Sequence, residues 1–395
     1  MSASRVAVAV AVVSAIFVLI HYYVWARVVR DAALPGPWGR VLGVLLAVLA
    51  VLVPLSFVAM RWLPRAVNAP LAWLVYVWMG LGLYLFLLAL AGDLGWTVAR
   101  LVGALPADPD RRRAISRLLA AAVAGGAGAL GAWGAVNVAR GYQIKRVRVP
   151  LARLPGAASG YRIVQLTDVH VGPTIGREFL EGVVRQANSL APDLVVITGD
   201  LVDGTVTQLA PLVEPLRELV ARDGVFFVTG NHEYYSGADA WIAHLRALGI
   251  RVLRNERVSV RGLFDLAGVD DHSAARMLPH HGQDVARAAA GRDPSRPLVL
   301  LAHQPKAFAE ARASGVDLQI SGHVHGGQMV PFNWLALLDQ PFVRGLHRVG
   351  DTWIYVSTGT GYWGPPMRVG TRAEITHVEL VASDDPRLGS VVVEG

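Results

Sequence analysis

The sequence predicts a helical membrane-spanning region followed by a separate α/β domain. Three observations lead there. Of 395 residues, 53% are hydrophobic and only 17% are charged, whereas a soluble domain carries about 25% charged residues. The charge is also divided. Residues 1–149 hold 15 Lys and Arg against 4 Asp and Glu, a net +11, and the remainder hold 22 against 26, a net −4. Finally, beyond residue 145 the long apolar blocks give way to short β-branched runs separated by amphipathic stretches.

The apolar blocks lie at about 6–25, 41–60, 71–92 and 115–138. Each is long enough to cross a hydrocarbon core of about 30 Å at 1.5 Å per residue. The breaks carry Arg27, Arg30 and Arg40, then Arg61 and Arg65, then the run 108–113. Tyr22, Trp25, Trp62 and Trp73 stand near block ends, where amphipathic rings favour the interface. Buried core helices would not be so evenly punctuated by arginine. Apart from Arg117 the blocks hold no ionisable residue well inside them, and His21 lies near an end. An ionisable residue in a span would hint at function; without one, residues 1–144 read as an anchor.

The fourth block begins Arg111-Arg112-Arg113-Ala114-Ile115-Ser116-Arg117 and continues rich in Ala and Gly. This resembles a twin-arginine export signal. A cytoplasmic Arg cluster beside a close-packing Gly-rich helix accounts for it equally well. Both readings put the arginines in the cytoplasm and the following domain outside it. Arg140, Lys145, Arg146 and Arg148 at the other end nearly balance that count. The expected location is a bacterial-type cell membrane, multi-pass, with an extracytoplasmic catalytic domain. The basic surplus lies beside the spans, where it meets anionic headgroups, so no nucleic-acid partner is expected and membrane lipid is.

In the second part, strands are predicted at 161–167, 194–198, 225–229, 263–268, 298–302, 318–321, 353–357 and 375–380. Helices are predicted at 177–189, 209–221, 238–248, 283–290 and 305–313. Such alternation implies an α/β sheet covered by helices, and the late run of strands adds a second sheet. The polar tail, 382–395, is set apart from the domain at 145–381. The chain has no Cys. That excludes disulfides, thiol catalysis and thiolate metal sites, so any metal is held by oxygen and nitrogen.

Residues that bind metals stand just after five of these strands. They are Asp168-Val169-His170, Gly199-Asp200, Gly230-Asn231-His232-Glu233, His303, and Gly322-His323-Val324-His325. Asp168 and His170 are two apart and share a side of an extended chain. Ligands of open α/β sheets gather beyond the carboxyl ends of strands. Seven O/N donors with one shared carboxylate would suit two divalent ions about 3.5–4 Å apart. Each residue alone carries little, since a lone His is more often packed or exposed and a lone Gly-Asp is usually a turn. The case lies in their order and context.

That order resembles the calcineurin-like metallophosphoesterase superfamily over roughly residues 145–381. Gly322–Gln328, Pro331 and the closing 357–368 segment look like its membrane-associated bacterial, YkuE-like branch. The resemblance implies a four-layer αββα sandwich behind the helical region. It implies a metal-dependent phosphoesterase with two divalent ions (Mn, Fe, Zn or Co). Asp168, His170 and His325 would hold the first ion, Asn231, His303 and His323 the second, and Asp200 would bridge them. His232 would be catalytic, acting on the substrate phosphate. The expected partner is a phosphate ester, a phosphodiester, pyrophosphate or phosphomonoester, with lipid or cell-envelope precursors among the candidates. A non-catalytic membrane receptor or scaffold would predict a missing ligand, and none is missing.

Weaker signals are read more plainly. Gly359-Thr360-Gly361-Tyr362-Trp363-Gly364 fits a dinucleotide fingerprint, but Pro365-Pro366 follows where a helix would have to open. Arg368 is a candidate for contact with a substrate phosphate, a structural ion pair being the other reading. Asp270 and Asp271 read as a turn or as partners to a ligand His. His272, His280 and His281 read as surface residues.

Overall fold

The computed structural model describes residues 3–34, 36–60, 63–383 and 393–394. The chain divides into two compact units. One is the chain up to Val136 together with Gly364–Met367; the other is Asn137–Trp363 and the chain from Arg368.

The helical unit has four long helices. They are α1 (Ala3–Trp25), which continues through a wider turn to Arg30, α2 (Trp38–Ala59), α3 (Arg65–Leu101) and α4 (Pro109–Ala139). All four are long and apolar enough to cross a membrane. Large aliphatic side chains such as Val12, Leu19, Leu55 and Leu94 lie exposed along them. Small residues allow close helix approach: a side chain at Gly92 would meet Leu119, and one at Gly126 would meet Leu88.

The third apolar block, expected at 71–92, contains no acid. α3 instead runs on to Leu101 and encloses Asp93. A carboxylate is tolerated there because it is paired. The Tyr23 hydroxyl donates to Asp93 Oδ2 at 2.6 Å and Arg27 Nε at 2.8 Å, while Arg27 Nη1 donates to Asp31 at 2.7 Å. Trp78 Nε1 donates to His21 Nε2 at 2.8 Å.

The second unit runs in chain order β1 (Gln143–Leu151), β2 (Tyr161–Leu166), α5 (Arg177–Ser189), β3 (Leu194–Thr198), α6 (Val206–Val213) and β4 (Val225–Val228). It continues with α7 (Asn231–Ser236), α8 (Ala238–Ala247), β5 (Arg251–Val252), β6 (Glu256–Val260), β7 (Phe264–Gly268), α9 (Val285–Ala289) and β8 (Leu298–Leu301). It closes with α10 (Phe308–Ala313), β9 (Leu318–Ser321), α11 (Phe332–Ala336), β10 (Gly345–Val349), β11 (Thr352–Val356), β12 (Glu374–Ala382) and β13 (Val393–Glu394).

These strands form two sheets, ordered β13-β1-β12-β2-β3-β4-β5 and β10-β11-β9-β8-β7-β6. Ile163, Val196, Phe226, Phe264, Leu301 and Ile320 fill the core between them. Leu180, Val183, Val184 and Ala187 recur at helical spacing on α5 and pack on the outer face of the first sheet with Trp241 and Leu245 of α8. Val285, Ala288 and Ala311 cover the second sheet. The result is the four-layer αββα arrangement. β3 reads Leu-Val-Val-Ile-Thr without alternation because both its faces are buried.

Some elements differ from expectation for identifiable reasons. β1 carries Lys145, Arg146 and Arg148, which read as a basic flank; it pairs in parallel with β12 from Gln143 to Leu151. The helix expected at 209–221 begins at Val206 and gives way at Glu214 to a 3₁₀ turn carrying Pro215, which cannot donate to a helical ladder. β6 and β10 are edge strands with half-exposed faces. Most of the expected polar tail lies outside the described residues, though Val393–Glu394 pairs with Arg146 and Val147.

Candidate metal centre

Five of the seven expected ligands have left-handed backbones: Asp168 (φ 52°), His170 (φ 54°), Asp200 (φ 50°), His323 (φ 73°) and His325 (φ 53°). Each follows the end of β2, β3 or β9. Asp and His tolerate this region better than most residues, yet each instance costs about 1–3 kcal/mol. Strain that recurs at neighbouring strand ends is held by the surrounding fold and turns all five side chains into one cleft. Glycine permits the approach. A side chain at Gly322 would collide with Thr167 and the Asp168 carboxylate. Gly199 has φ +87°, and a Cβ there would collide with Gly230 and His303.

The ligand atoms of Asp168, His170 and His325 lie within 4.8 Å of one another, and so do those of Asp200, His303 and His323. In the first group, His170 Nε2 faces His325 Nε2 at 3.0 Å, and His325 Nε2 lies 3.5 Å from Asp168 Oδ1. The backbone N–H of His323 donates to both Asp168 oxygens, at 2.9 and 3.0 Å. In the second group, His303 Nε2 lies 3.1 Å from Asp200 Oδ2 and 3.2 Å from His323 Nδ1. Asn231 opens α7 beside them, and its Oδ1 is buried without a hydrogen-bond partner.

Tautomers follow from what lies behind each ring. His303 Nδ1 is 2.8 Å from the Thr198 carbonyl, which can only accept. In the neutral ring Nε2 is therefore a lone pair facing a carboxylate. His170 Nδ1 likewise meets Asp203 Oδ1 at 3.1 Å, leaving its Nε2 as a lone pair toward His325. The His303 Nε2 lone pair thus faces the Asp200 carboxylate, acceptor to acceptor, and such a contact needs a proton or a cation between the two atoms. In the protein alone the protons adjust. Burial and the His303 charge push His323 down to about 3. Burial lowers His303, but Asp200 and Asp168 outweigh it and raise it well above the usual imidazole range. The N/O donor set without thiolate fits two divalent cations.

His232 stands apart from both groups. Its Nδ1 meets Asp203 Oδ1 at 2.5 Å, and its Nε2 lies 3.9 Å from Asp200 Oδ2. Burial would lower its pKa, but the Asp200 and Asp203 charges raise it to about 9. Burial would raise the pKa of Asp203, but His170 and His232 hold it below the usual carboxylate range. Trp363 and Tyr235, both exposed, set ring edges on His232 at centroid distances of 5.7 and 5.2 Å.

Three residues matter more than their sequence context suggested. Asp203 holds both His170 and His232; the available signal was an acid three residues beyond Asp200 at the same strand end. Glu233 is fully buried and accepts from the backbone N–H of Gly230 (2.7 Å), Asp200 (3.0 Å) and Leu201 (2.8 Å). Burial and the Asp200 charge push it up to about 8. Gln304 donates to Asp271 at 3.0 Å next to His303, so that acid is tied to the ligand segment, while Asp270 takes a two-point contact from Arg254 at 2.9 and 2.8 Å.

Arg368 departs from its expected place as a substrate contact. It is fully buried and donates to the carbonyls of Gly361 (2.7 Å), Thr358 (2.8 Å) and His325 (3.4 Å), with Nη2 3.3 Å from His325 Nδ1. Its guanidinium is spent on the loop behind His325, which makes it a positioning residue. The Gly359–Gly364 segment is part of that loop: Thr360 N donates to the Thr167 carbonyl and Gly361 N to that of Asp168. His281 is also not a surface residue; its ring is buried against the Tyr234 hydroxyl and Asp239, at 3.0 Å each.

The calcineurin-like phosphoesterase profile matches residues 161–327. A zebrafish transmembrane protein with a metallophosphoesterase domain is 36% identical over 390 residues, covering 93% of this chain and 88% of its own. The chain belongs to the calcineurin-like phosphoesterase family. A cattle protein of the same description is 42% identical over 304 residues, covering 73% of this chain and 67% of its own. The Bacillus subtilis metallophosphoesterase YkuE is 29% identical over 290 residues, covering 70% of this chain and 99% of its own. The relatives therefore extend the expected bacterial branch to vertebrates. The family typically uses a dinuclear metal centre. The chain is a membrane-associated, metal-dependent phosphoesterase.

Proposed function

We propose that Asp168, His170 and His325 hold one divalent ion, that Asn231, His303 and His323 hold a second, and that Asp200 lies between them. The observation that supports this is the convergence of two groups, Asp168 with His170 and His325 and Asp200 with His303 and His323, each with its donor atoms within 4.8 Å, together with the buried Asn231 Oδ1 that receives no hydrogen bond. Two bound cations would lower the pKa of a water and offset charge on the phosphoryl oxygens. The residues of the chain do the rest. Asp203 fixes the His232 ring through Nδ1, leaving Nε2 toward the cleft to protonate the departing oxygen. Thr198 and Asp203 fix the ring faces of His303 and His170. Glu233 ties the loops that carry Asp200 and Asn231 to each other.

The substrate is a phosphodiester or pyrophosphate on a lipid or envelope precursor. Membrane association supports this reading by raising the local concentration of such molecules, and the exposed rings of Trp363 and Tyr235 offer apolar contact beside His232. The α/β unit is placed outside the cytoplasm. In a four-span chain, Arg27, Arg30, Arg40, Arg100, Arg111, Arg112, Arg113 and Arg117 border one side. Arg5, Arg61, Arg65 and Arg140 border the other. Lys145, Arg146 and Arg148 belong to strand β1 of the folded domain and are discounted, because domains translocate largely regardless of charge.

The full chain in detergent, loaded with Mn²⁺, is expected to hydrolyse bis-p-nitrophenyl phosphate. Asp200→Asn should lower turnover more than about a hundredfold, since lesser changes behind a ligand already cost 10–100-fold. Undiminished turnover by a folded Asp200→Asn protein would overturn the assignment.

A further inference from the structure

The segment that follows the His325 loop is apolar and faces water. α11 and the turn after it, Phe332 to Leu338, contain no charged residue. Phe332, Trp334, Leu335, Leu337 and Leu338 are all exposed, Trp334 at 65% and Leu338 at 85%. Nothing in α11 is buried. Its base is nevertheless firmly placed. A side chain at Gly327 would collide with the Asn333 backbone, so α11 rests directly on the loop carrying His325. Gln328, in the same loop, exchanges hydrogen bonds with the backbone of Trp363 at 2.8 and 2.9 Å. An apolar ridge thus rises beside the cleft, and Trp363 stands on the cleft rim.

Water-facing clusters of Trp, Phe and Leu this dense mark an interaction surface. The chemistry selects among partners. A Trp with aliphatic neighbours and no charge is what an element seated at the headgroup boundary requires. The exposed Arg344 just beyond Asp339 adds attraction to anionic lipid. The tether makes that surface the nearest available one. Only residues 140–142 separate α4 from β1, and three residues span little more than about 10 Å. A bilayer is therefore always within reach, at high effective concentration.

We propose that residues 332–338 insert into the bilayer interface and seat the phosphoesterase cleft on the membrane surface. Naming this cleft as the catalytic one rests on the functional reading above; the insertion itself does not.

The chain has no native Cys, so single-cysteine labelling is clean. Leu338→Cys and Trp334→Cys, each carrying an environment-sensitive nitrobenzoxadiazole probe, would be compared with Val220→Cys, whose native side chain is 68% exposed. The full chain would be reconstituted in phosphatidylcholine vesicles containing spin-labelled lipid. Lipid quenching at 338 and 334 is expected to exceed that at 220 at least threefold, in both variants. Quenching equal to that at 220 would overturn the proposal. So would shielding from aqueous iodide without lipid quenching, which would assign the ridge to a second copy or another protein. Hydrolysis of bis-p-nitrophenyl phosphate by the labelled variants should stay within about twofold of the unlabelled chain. Loss of hydrolysis by every form, unlabelled chain included, would count against the catalytic reading and leave the quenching result standing.

Discussion

In the helical unit, Asp93 meets the Arg27 guanidinium and the Tyr23 hydroxyl, and a second carboxylate, Asp31, takes the remaining arm of Arg27. Donors and acceptors match. In the α/β unit, two pairs of imidazoles face each other at 3.0 and 3.2 Å, beside Asp168 and Asp200, and the buried Asn231 oxygen receives no hydrogen bond. The half-exposed charges in the helices are closed by their own ion pairs, whereas the donor groups in the α/β unit are those that two divalent cations would take in the reading proposed above. One region spends its charge on ion pairs between helices, and on the proposed reading the other holds its donors for cations.

Three substitutions sharpen that contrast. The largest expected effect is on stability. Glu233→Ala leaves the N–H groups of Gly230, Asp200 and Leu201 without their acceptor. At about 1–3 kcal/mol for each buried orphan, the α/β unit should lose roughly 3 kcal/mol or more, read as a lower denaturant midpoint. A midpoint unchanged from the parent would show that water replaces the carboxylate without penalty.

Asp203→Asn comes next. It keeps the shape but weakens the hold on His170 and His232. Turnover should fall about 10–100-fold while the metal content measured by mass spectrometry stays near the parent value. Loss of metal in proportion to activity would mean that Asp203 serves His170 alone. The smallest effect belongs to the helical unit. Asp93→Asn should leave hydrolysis within about twofold and lower stability in detergent by about 1 kcal/mol, as expected for a partly exposed ion pair. A large drop in hydrolysis would show that charge in the helices also serves the chemistry.

Much of the candidate site is legible in the sequence because its expected ligands stand immediately after strands. Asp168, His170, Asp200, Asn231, His303, His323 and His325 all follow from that pattern, and the structure brings six of them into two tight groups while Asn231 opens α7. What the pattern could not convey was function spent on backbone. Glu233 and Arg368 act through N–H and carbonyl groups, and no side-chain motif records which main-chain atoms lie nearby. Asp203 is invisible for a related reason: a lone acid in a turn looks like any other until two imidazoles are seen to converge on it. In the fold, the central strands were plain because Val and Ile fill both faces. β1 was missed because its alternate positions carry Lys and Arg at the foot of a span. Asp93 was missed because a hydropathy window cannot see the Arg27 that neutralises it.

The most direct test of the dinuclear assignment is a calorimetric titration of the metal-stripped full chain in detergent with Mn²⁺. Two equivalents per chain are predicted, falling to one in Asn231→Ala, which removes a ligand from the second ion alone. Binding of one equivalent or less by the parent chain, or two equivalents retained by Asn231→Ala, would contradict it.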